Sequence, residues 1–389
     1  MGADLRRAFV CLVFLLAALP CAAAGPYYVH LGSTVGGDGT ACTTTGATRA
    51  FPSLRAAIDS FGASLPAGET RIIPCGCNAG NCADSSDVNQ LPWDFGSTPT
   101  DYLVIEPDAA NFARVPLDTT RYYLTRTNSN VLYGNVTCHV RVRGLQIRIV
   151  VNDGISYVAL KTLNANQTAA NGCGAADMRV EQTVIECAGI SKASTIGFHA
   201  RPMGVGGGGS TRFANIFAYD CPQGVAADTT LLSVANSTVY GASFGYIADA
   251  AWTCKNCLSA GGTGIGFVGT FGLGTTNNAE DDGNGCTMTG PVSCANHRTL
   301  QTFTFVNAAT RDLHLAGTDA GARNFGLADP LSGFFSNDFD GATRPGESVW
   351  DIGADEFGSA PAGGGTAPAY IILGCKSRAC SSFRLLPLN

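Results

Sequence analysis

The stretch Phe213–Phe217 (FANIF) begins 21 residues before Val234–Thr238 (VANST), which begins 20 residues before Cys254–Leu258 (CKNCL). All three have Asn at the third position, and a Gly follows several residues later. Two earlier stretches, Val142–Ile147 (VRGLQI) and Val180–Val184 (VEQTV), fit the same template with Gly or Gln in the central place. The central position recurs at 144, 182, 215, 236 and 256, in steps of 38, 33, 21 and 20 residues. A repeat of about twenty residues indicates a solenoid.

The template has a direct physical explanation. Successive side chains of a short strand point to opposite faces, so one coil cannot bury its own apolar side, whereas stacked coils share a continuous core. The Asn residues would then lie at bends between strands, where stacked amides hydrogen-bond in a ladder. We predict an all-β parallel solenoid. Its longer steps contain an extra coil or an inserted loop, of which residues 204–210 (GVGGGGS) are one.

The first coil needs a cover, because an open solenoid end exposes unpaired strand edges. Residues 51–59 (FPSLRAAID) place Leu54, Ala57 and Ile58 on one face of a short helix, with Pro52 in its opening turn. We predict a short N-terminal capping helix here.

Residues 1–24 have the layout of a secretory signal peptide. Arg6 and Arg7 precede the apolar stretch Ala8–Leu19, and Ala22–Ala24 supply small residues for cleavage. The apolar stretch is shorter than the roughly 20 residues that span a bilayer. We therefore predict export to the medium or periplasm, with no transmembrane segment in the mature chain.

Fourteen of the sixteen cysteines remain after removal of Cys11 and Cys21 with the signal. An even number in an exported chain predicts disulfides. Cys187 and Cys221 follow the same strand of neighbouring coils, which predicts a bridge between coils. Cys286 with Cys294 and Cys375 with Cys380 are close enough in sequence for local loops. Zinc ligation remains an alternative for the cysteines at 75, 77, 82, 254 and 257.

Both ends of the mature chain resemble known β-helix proteins. Tyr27–Val29 (YYV), Gly36–Thr40 (GGDGT) and Phe51–Ile58 (FPSLRAAI) resemble the opening of right-handed parallel β-helix proteins of the pectate-lyase-like superfamily. The far end resembles the closing block of bacterial choice-of-anchor Q domain proteins, through Phe305–Asn307 (FVN), Asp312–Leu315 (DLHL), Asp338–Gly341 (DFDG), Arg344–Pro345 (RP) and Asp351–Phe357 (DIGADEF).

This resemblance covers about residues 26–357 and implies a right-handed, single-stranded parallel β-helix. We expect that domain at 25–357, followed at 358–389 by a Gly/Pro/Ala-rich linker and a short Cys-containing tail. The tail differs from the family's anchors, because it lacks a long hydrophobic segment with a basic end. Within the closing block, we expect Asp338, Asp340, Arg344 and Asp351 to form a buried ion-pair network, and His314 to be structural.

A column of basic residues is the main candidate for binding. Arg141, Arg179 and Arg212 each precede the first apolar residue of the template, so they should point outward from successive coils. Arg143 and Lys255 occupy another outward position of the template. Guanidinium groups bind carboxylates in bidentate pairs, so such a column can bind an anionic polysaccharide. The alternative is that Glu181 neutralises the arginines and the column only aids solubility.

Signals for catalysis are weaker. His199, with Lys192 and Arg201, flanks the Gly-rich segment and is a candidate for acid–base chemistry, because enzyme clefts form at such loops. Glu280, Asp281 and Asp282 lie in a polar loop whose oxygens suit Ca²⁺. No other cofactor is indicated. The GHG and RxK motifs of polygalacturonase-type hydrolases are absent from the sequence.

The sequence therefore favours an exported, monomeric β-helix protein that binds, and in one reading processes, extracellular polysaccharide. A polysaccharide lyase or glycoside hydrolase is the alternative, and a surface adhesin or structural protein is a third. The net charge of −6 argues against a nucleic-acid partner.

Overall fold

The computed structural model describes residues 25–62, 65–88, 91–93, 100–137, 139–163, 177–192, 194–201, 210–229, 232–284, 287–290 and 296–358. The expected signal peptide and most of the expected tail lie outside these residues, as do Cys286, Cys294, Cys375, Cys380 and most of the Gly-rich insertion. The described residues contain one α-helix, α1 (Leu54–Asp59). None of their helices is long and apolar enough to cross a membrane.

The chain forms a parallel β-helix, as predicted, and each coil passes through three faces in turn. The first face contains β1 (Tyr27–His30), β2 (Glu69–Gly76), β5 (Tyr102–Ile105), β8 (His139–Arg143), β11 (Asp177–Glu181), and parts of β14 (Ser210–Tyr219), β16 (Leu232–Tyr240) and β17 (Phe244–Ala260). The second contains β3 (Ala83–Asp84), β6 (Tyr123–Thr127), β9 (Gln146–Val150), β12 (Val184–Ala188), the later parts of β14, β16 and β17, and β19 (Ala279–Glu280). The third contains β4 (Leu91–Trp93), β7 (Leu132–Thr137), β10 (Val158–Leu163), β13 (Ile196–Arg201), β15 (Gln223–Ala227), the start of β17, β18 (Ile265–Phe271) and β20 (Met288–Thr289).

The interior of the coils is a continuous apolar core of the predicted kind. Inward columns such as Val142, Val180, Phe213 and Val234 pair coil to coil and are fully buried. The capping helix is confirmed: Leu54, Ala57 and Ile58 join this core, and the Ser53 side chain caps the helix by accepting a hydrogen bond from Ala56 N.

The repeated Asn position marks a sharp bend between the first and second faces. The φ angles at Gly144, Gln182, Asn215, Asn236 and Asn256 are 64°, 46°, 50°, 47° and 55°. Gly and Asn tolerate this left-handed conformation better than other residues, which explains the template. One step of the predicted amide ladder is present, in which Asn256 Nδ2 donates to Asn236 Oδ1 over 2.8 Å.

The other bend side chains bind the closing block (residues 303–357), which packs along the outside of the second face. Asn215 Nδ2 donates to Asn337 O over 2.7 Å, and Gln182 Nε2 donates to Phe339 O over 2.9 Å. The block contains an antiparallel pair, β21 (Phe305–Asn307) and β22 (Asp312–Leu315), joined by a 3-10 helix at Ala308–Thr310. Two smaller apolar clusters fill the interface. They include Val184, Phe217, Leu258 and Ala279 from the coils, and Leu313, Leu315, Phe339, Ile352 and Ala354 from the block.

Disulfides join several of the coils and bends. The predicted Cys187–Cys221 bridge between coils is confirmed. Within the described ranges, Cys42–Cys75, Cys77–Cys82 and Cys254–Cys257 are also bonded, which settles the zinc alternative for these cysteines in favour of disulfides. Both sulfurs of the last bridge belong to fully buried residues.

Candidate functional site

The arginine column exists as predicted on the outer side of the first face. Arg141 pairs with Arg179 in parallel register, and Arg179 pairs with Arg212. Ser233 and Thr253 continue the column on the next two coils. Arg143 lies two residues after Arg141 and pairs in register with Glu181. Lys255 belongs to this second outward column, three coils beyond Glu181, after Ala214 and Ala235.

The structure adds Arg71, which sequence reasoning missed. Arg71 pairs with Val104, and Val104 pairs with Arg141, so Arg71 belongs to the same column two coils earlier. The coils at Arg71 and Val104 lack the central Asn, Gln or Gly of the template, so the repeat did not align them. The available signal was the alternation of charged and uncharged residues in Glu69–Ile72, where Thr70 and Ile72 are buried and Arg71 therefore points outward. We call Arg71, Arg141, Arg143, Arg179 and Arg212 the arginine face.

Four carboxylates are interleaved with these five arginines. Glu69, Glu106 and Asp177 form ion pairs with the arginine face, and Glu181 lies in register with Arg143. The ion-pair distances are 2.6 Å for Arg71–Glu69, 2.7 Å for Arg71–Glu106, 3.2 Å for Arg143–Glu106, 2.5 Å for Arg179–Asp177 and 3.3 Å for Arg212–Asp177. With five positive and four negative groups, the face is close to neutral and slightly basic.

The carboxylates of this surface have shifted acidities. Burial acts to raise the pKa of Asp177, but the hydrogen bond from Arg179 and the charges of Arg179, Arg212 and Arg141 hold it below its usual value. Burial raises the pKa of Glu181, because the opposing charges of Arg143, Arg179 and Arg141 do not offset it. Of these two carboxylates, Asp177 is therefore held in its charged form more strongly than Glu181.

Arg141 differs from its neighbours. Its guanidinium lies 3.9 Å from the centre of the Tyr102 ring, and no carboxylate of the described residues is within 4.0 Å of it. Tyr102 is itself fixed by a 2.7 Å hydrogen bond from its hydroxyl to Glu69. An aromatic ring stabilises a stacked guanidinium while leaving its N–H edge able to donate. Arg141 is therefore the arginine best placed to accept an anionic ligand.

The closing block touches the other end of the column. The Phe334 ring centre lies 5.1 Å from the Arg179 guanidinium and 5.4 Å from that of Arg212, and Lys255 Nζ donates to Pro330 O over 2.9 Å. The side chains of Arg71, Arg143, Arg179 and Arg212 are still 40%, 30%, 26% and 34% exposed. These guanidiniums are half-buried and accessible, whereas the Lys255 ammonium is already hydrogen-bonded to the closing block.

His199 and Arg201 come together on the third face through Asp228. His199 Nε2 lies 3.4 Å from Asp228 Oδ1, and Arg201 Nε donates to Asp228 Oδ2 over 2.8 Å. Lys161 pairs in register with His199 on the preceding coil. Burial lowers the pKa of His199 in spite of the charge and hydrogen bond of Asp228, which favours the neutral imidazole. Lys192 has a different position in the turn after β12, where its Nζ donates to the carbonyl oxygens of Cys187 in β12 and of Asp220 just after β14.

Of the three acidic residues proposed for calcium, Glu280 and Asp282 lie in side-chain contact beside Gly266, and the three do not form a group of converging ligand atoms. Glu280 is fully buried at the end of the core, 2.7 Å from His297 Nε2. Asp281 accepts a hydrogen bond from Gly261 N over 2.7 Å, and Asp282 accepts from Gly266 N and Asn284 N. Each carboxylate also accepts a hydrogen bond from, or pairs with, another part of the chain, and the calcium site stays a prediction.

The closing block contains two charged centres rather than the single network expected from sequence. Arg344 pairs with Glu356 at 2.8 Å, and both side chains are fully buried. His314 lies between Asp312 and Asp340. Burial alone would lower the pKa of His314, but Asp340, Asp355 and Asp312 raise it to about 10. Burial raises the pKa of Asp355 to about 7.

Comparisons with known proteins give no relative: no protein-family model matches the chain, and neither a curated protein nor a solved structure matches it significantly.

Proposed function

We propose that this chain is an exported protein of the pectate-lyase-like superfamily that binds an anionic polysaccharide along the arginine face. The observation that carries the proposal is Arg141, stacked on Tyr102 without a carboxylate partner among the described residues and in register with Arg179 and Arg212. Stacked coils are spaced about 4.8 Å apart. The three guanidiniums therefore offer binding points at regular intervals along the solenoid axis.

The carboxylate or sulfate groups of a polysaccharide would pair with the guanidiniums, with the chain running parallel to the axis. Arg179 and Arg212 share Asp177, so each keeps N–H groups for a second acceptor. Binding to half-exposed charges is screened by salt, so the interaction should weaken as ionic strength rises. Disulfides fit the extracellular or periplasmic location that such a ligand requires.

Retention on immobilised polyuronate and sulfated glycans tests the proposal. The variant is the triple replacement Arg141→Ala, Arg179→Ala and Arg212→Ala, for which we expect loss of retention. A matched control removes the same charge elsewhere, by Arg55→Ala, Arg126→Ala and Arg148→Ala. The first two arginines are part of exposed or peripheral ion pairs, and the third lies on the second face.

The proposal requires that the control variant still binds and that a neutral glycan binds neither protein. Circular dichroism establishes that both variants are folded. Equal retention by the wild type and the column variant, or equal loss in both variants, would overturn it.

A polysaccharide lyase is the second candidate, favoured by the buried His199, which lies in register with Lys161 and shares Asp228 with Arg201. A lyase needs a base for the proton next to the uronate carboxylate and a cation that neutralises that carboxylate. Release of unsaturated products from polyuronates, followed by ultraviolet absorbance, would establish it if His199→Gln abolished the signal. Absence of such products from a uronate panel would leave binding as the function.

A further inference from the structure

His314, Asp340 and Asp355 of the closing block line one small cleft, and Asp312 contacts His314 beside it. Asp312 and His314 lie on β22, Asp340 lies in the turn before Gly341, and Asp355 lies in the final stretch Asp351–Phe357. The cleft is lined by His314, Asp340 and Asp355 together with Asp338, Ala342 and Glu356. None of these residues takes part in the arginine face, so this cleft is a separate feature of the molecule.

The imidazole of His314 is held between two carboxylates. Its Nδ1 is 2.5 Å from Asp312 Oδ1, and its Nε2 is 2.7 Å from Asp340 Oδ2. A carboxylate on Nδ1 fixes the ring orientation, as it does in metal-binding histidines, and a metal ion would replace the proton that Nε2 shares with Asp340. Asp312 therefore acts as an orienting partner, and Nε2 faces the cleft.

Three ligand atoms converge in front of that nitrogen. His314, Asp340 and Asp355 each contribute one donor atom, and these atoms all lie within 4.8 Å of one another. Ligands bound to one zinc ion at about 2.0–2.2 Å satisfy such a separation. Within the described part of the chain, no other group of three His, Cys, Asp or Glu residues brings its ligand atoms this close together.

Asp355 gives independent support, because it is aimed into the cleft from a buried position. Asp355 is only 6% exposed to solvent. Its Oδ2 accepts the main-chain N–H of Leu315 over 2.6 Å, which fixes the carboxylate at the cleft. Burying a carboxylate costs free energy, which a cation or hydrogen-bond donors compensate.

At this cleft the carboxylates outnumber the cationic side chains. Among the described residues, no Lys or Arg forms an ion pair with Asp312, Asp340 or Asp355, and the nearby Arg344 is bound to Glu356 and to the carbonyl oxygens of Gly353 and Ala354. Three carboxylates therefore share one imidazole. A divalent cation would neutralise this excess.

We propose that His314 Nε2, Asp340 and Asp355 bind a divalent transition-metal ion of the Zn²⁺ class, with Asp312 orienting the histidine. The imidazole favours Zn²⁺ and similar ions over Ca²⁺ and Mg²⁺, which prefer oxygen ligands alone. The ion would join β22 to the turn at Asp340 and to the final stretch of the block. Its fourth ligand position would face the cleft.

The test uses tag-free mature protein, stripped with a chelator and then equilibrated with Zn²⁺. We expect one equivalent of zinc per chain by elemental analysis, a higher melting temperature with zinc, and a visible Co²⁺ spectrum with the tetrahedral signature. Asp355→Asn is the decisive variant, because its amide oxygen can still accept from Leu315 N while its NH₂ group cannot bind the metal. We expect it to lose stoichiometric zinc.

Asp312→Asn should weaken zinc binding by roughly 10- to 100-fold without abolishing it, as an orienting partner does. His199→Gln, which removes a histidine bound to a carboxylate elsewhere, is the matched control and should keep one equivalent. The proposal is overturned if the wild type retains no stoichiometric zinc, or if Asp355→Asn retains as much as the wild type. In that case, the cluster is a histidinium held by carboxylates. Neither outcome bears on glycan retention by the arginine face.

Discussion

Asn256 holds the main chain of Leu327 at both of its polar atoms. Asn256 Nδ2 donates to Leu327 O over 2.8 Å, and Asn256 Oδ1 accepts from Leu327 N over 2.7 Å. The same residue forms the bend of its coil at a φ of 55°. One side chain thus serves two functions: its backbone turns the coil, and its amide attaches a segment 71 residues further along the chain.

This double function predicts different effects for two substitutions of Asn256. Asn256→Gly keeps the left-handed bend but loses the amide, and should cost about 2–3 kcal/mol at about 1 kcal/mol per hydrogen bond. Asn256→Ala should cost about 1 kcal/mol more, because a Cβ is unfavourable at this φ. Urea denaturation measures both values. Equal stability of the two variants would contradict the conformational part of the argument.

The buried pair of Arg344 and Glu356 predicts a large loss of stability on removal of one partner. Arg344→Met removes the cationic partner of the buried Glu356 carboxylate, which should cost about 3–5 kcal/mol. The control is Arg55→Met, which breaks the exposed pair with Asp59 and should cost less than about 1 kcal/mol. Comparable losses for the two variants, measured by denaturation, would show that burial of the pair is not the cause.

The disulfides predict stabilisation that depends on the length of the loop they close. Cys187 and Cys221 are 34 residues apart, whereas Cys254 and Cys257 are three apart. Loop-closure entropy gives about 4 kcal/mol for the first and about 1.5 kcal/mol for the second. Double replacement of each pair by Ala, followed by denaturation under oxidising conditions, should give losses in this order. The opposite order would mean that packing in the core, and not chain entropy, dominates.

The carboxyl of Asp351 predicts a pH dependence of stability. Burial raises its pKa from 3.8 to about 6, against the hydrogen bonds that it accepts from Asn324 N and Phe357 N. Between these two values the folded state binds more protons than the unfolded state, so the free energy of unfolding falls as pH rises. This contribution is present in full below about pH 4 and is lost through pH 6.

Asp351→Asn removes this titration, although it also loses a hydrogen bond and is less stable overall. Its free energy of unfolding should therefore decline less steeply between pH 4 and 6 than that of the wild type. Urea denaturation at intervals of half a pH unit gives both slopes. Parallel curves for the two proteins would be inconsistent with a raised pKa at this position.

The sequence was sufficient for those features that repeat from coil to coil. The bend residues, the outward register of Arg141, Arg179 and Arg212, and the Cys187–Cys221 bridge follow from a local period and from alternation within a strand. Tyr102 was not predicted as the support of Arg141, because its coil is irregular and lacks the central Asn.

The closing block was harder to place, because its contacts have no local period. Gln182 meets Phe339 across 157 residues, and His314 meets Asp340 across 26. The sequence identified these segments as a distinctive block, but only packing on the second face brings them to their partners. The expected pairing of Arg344 with the nearby aspartates missed Glu356 for the same reason.

The position of the closing block has a consequence for how the molecule comes apart. A solenoid whose coils contact only their neighbours can lose them one at a time from an end. Here the closing block binds the bends at Gln182, Asn215 and Asn256. None of these coils can therefore unfold without breaking contacts of a segment that also holds the others. We expect the coils that contact the closing block to unfold together in a single thermal transition. Assembly should be equally constrained, because the exterior of these coils is complete only once the closing block has folded onto them.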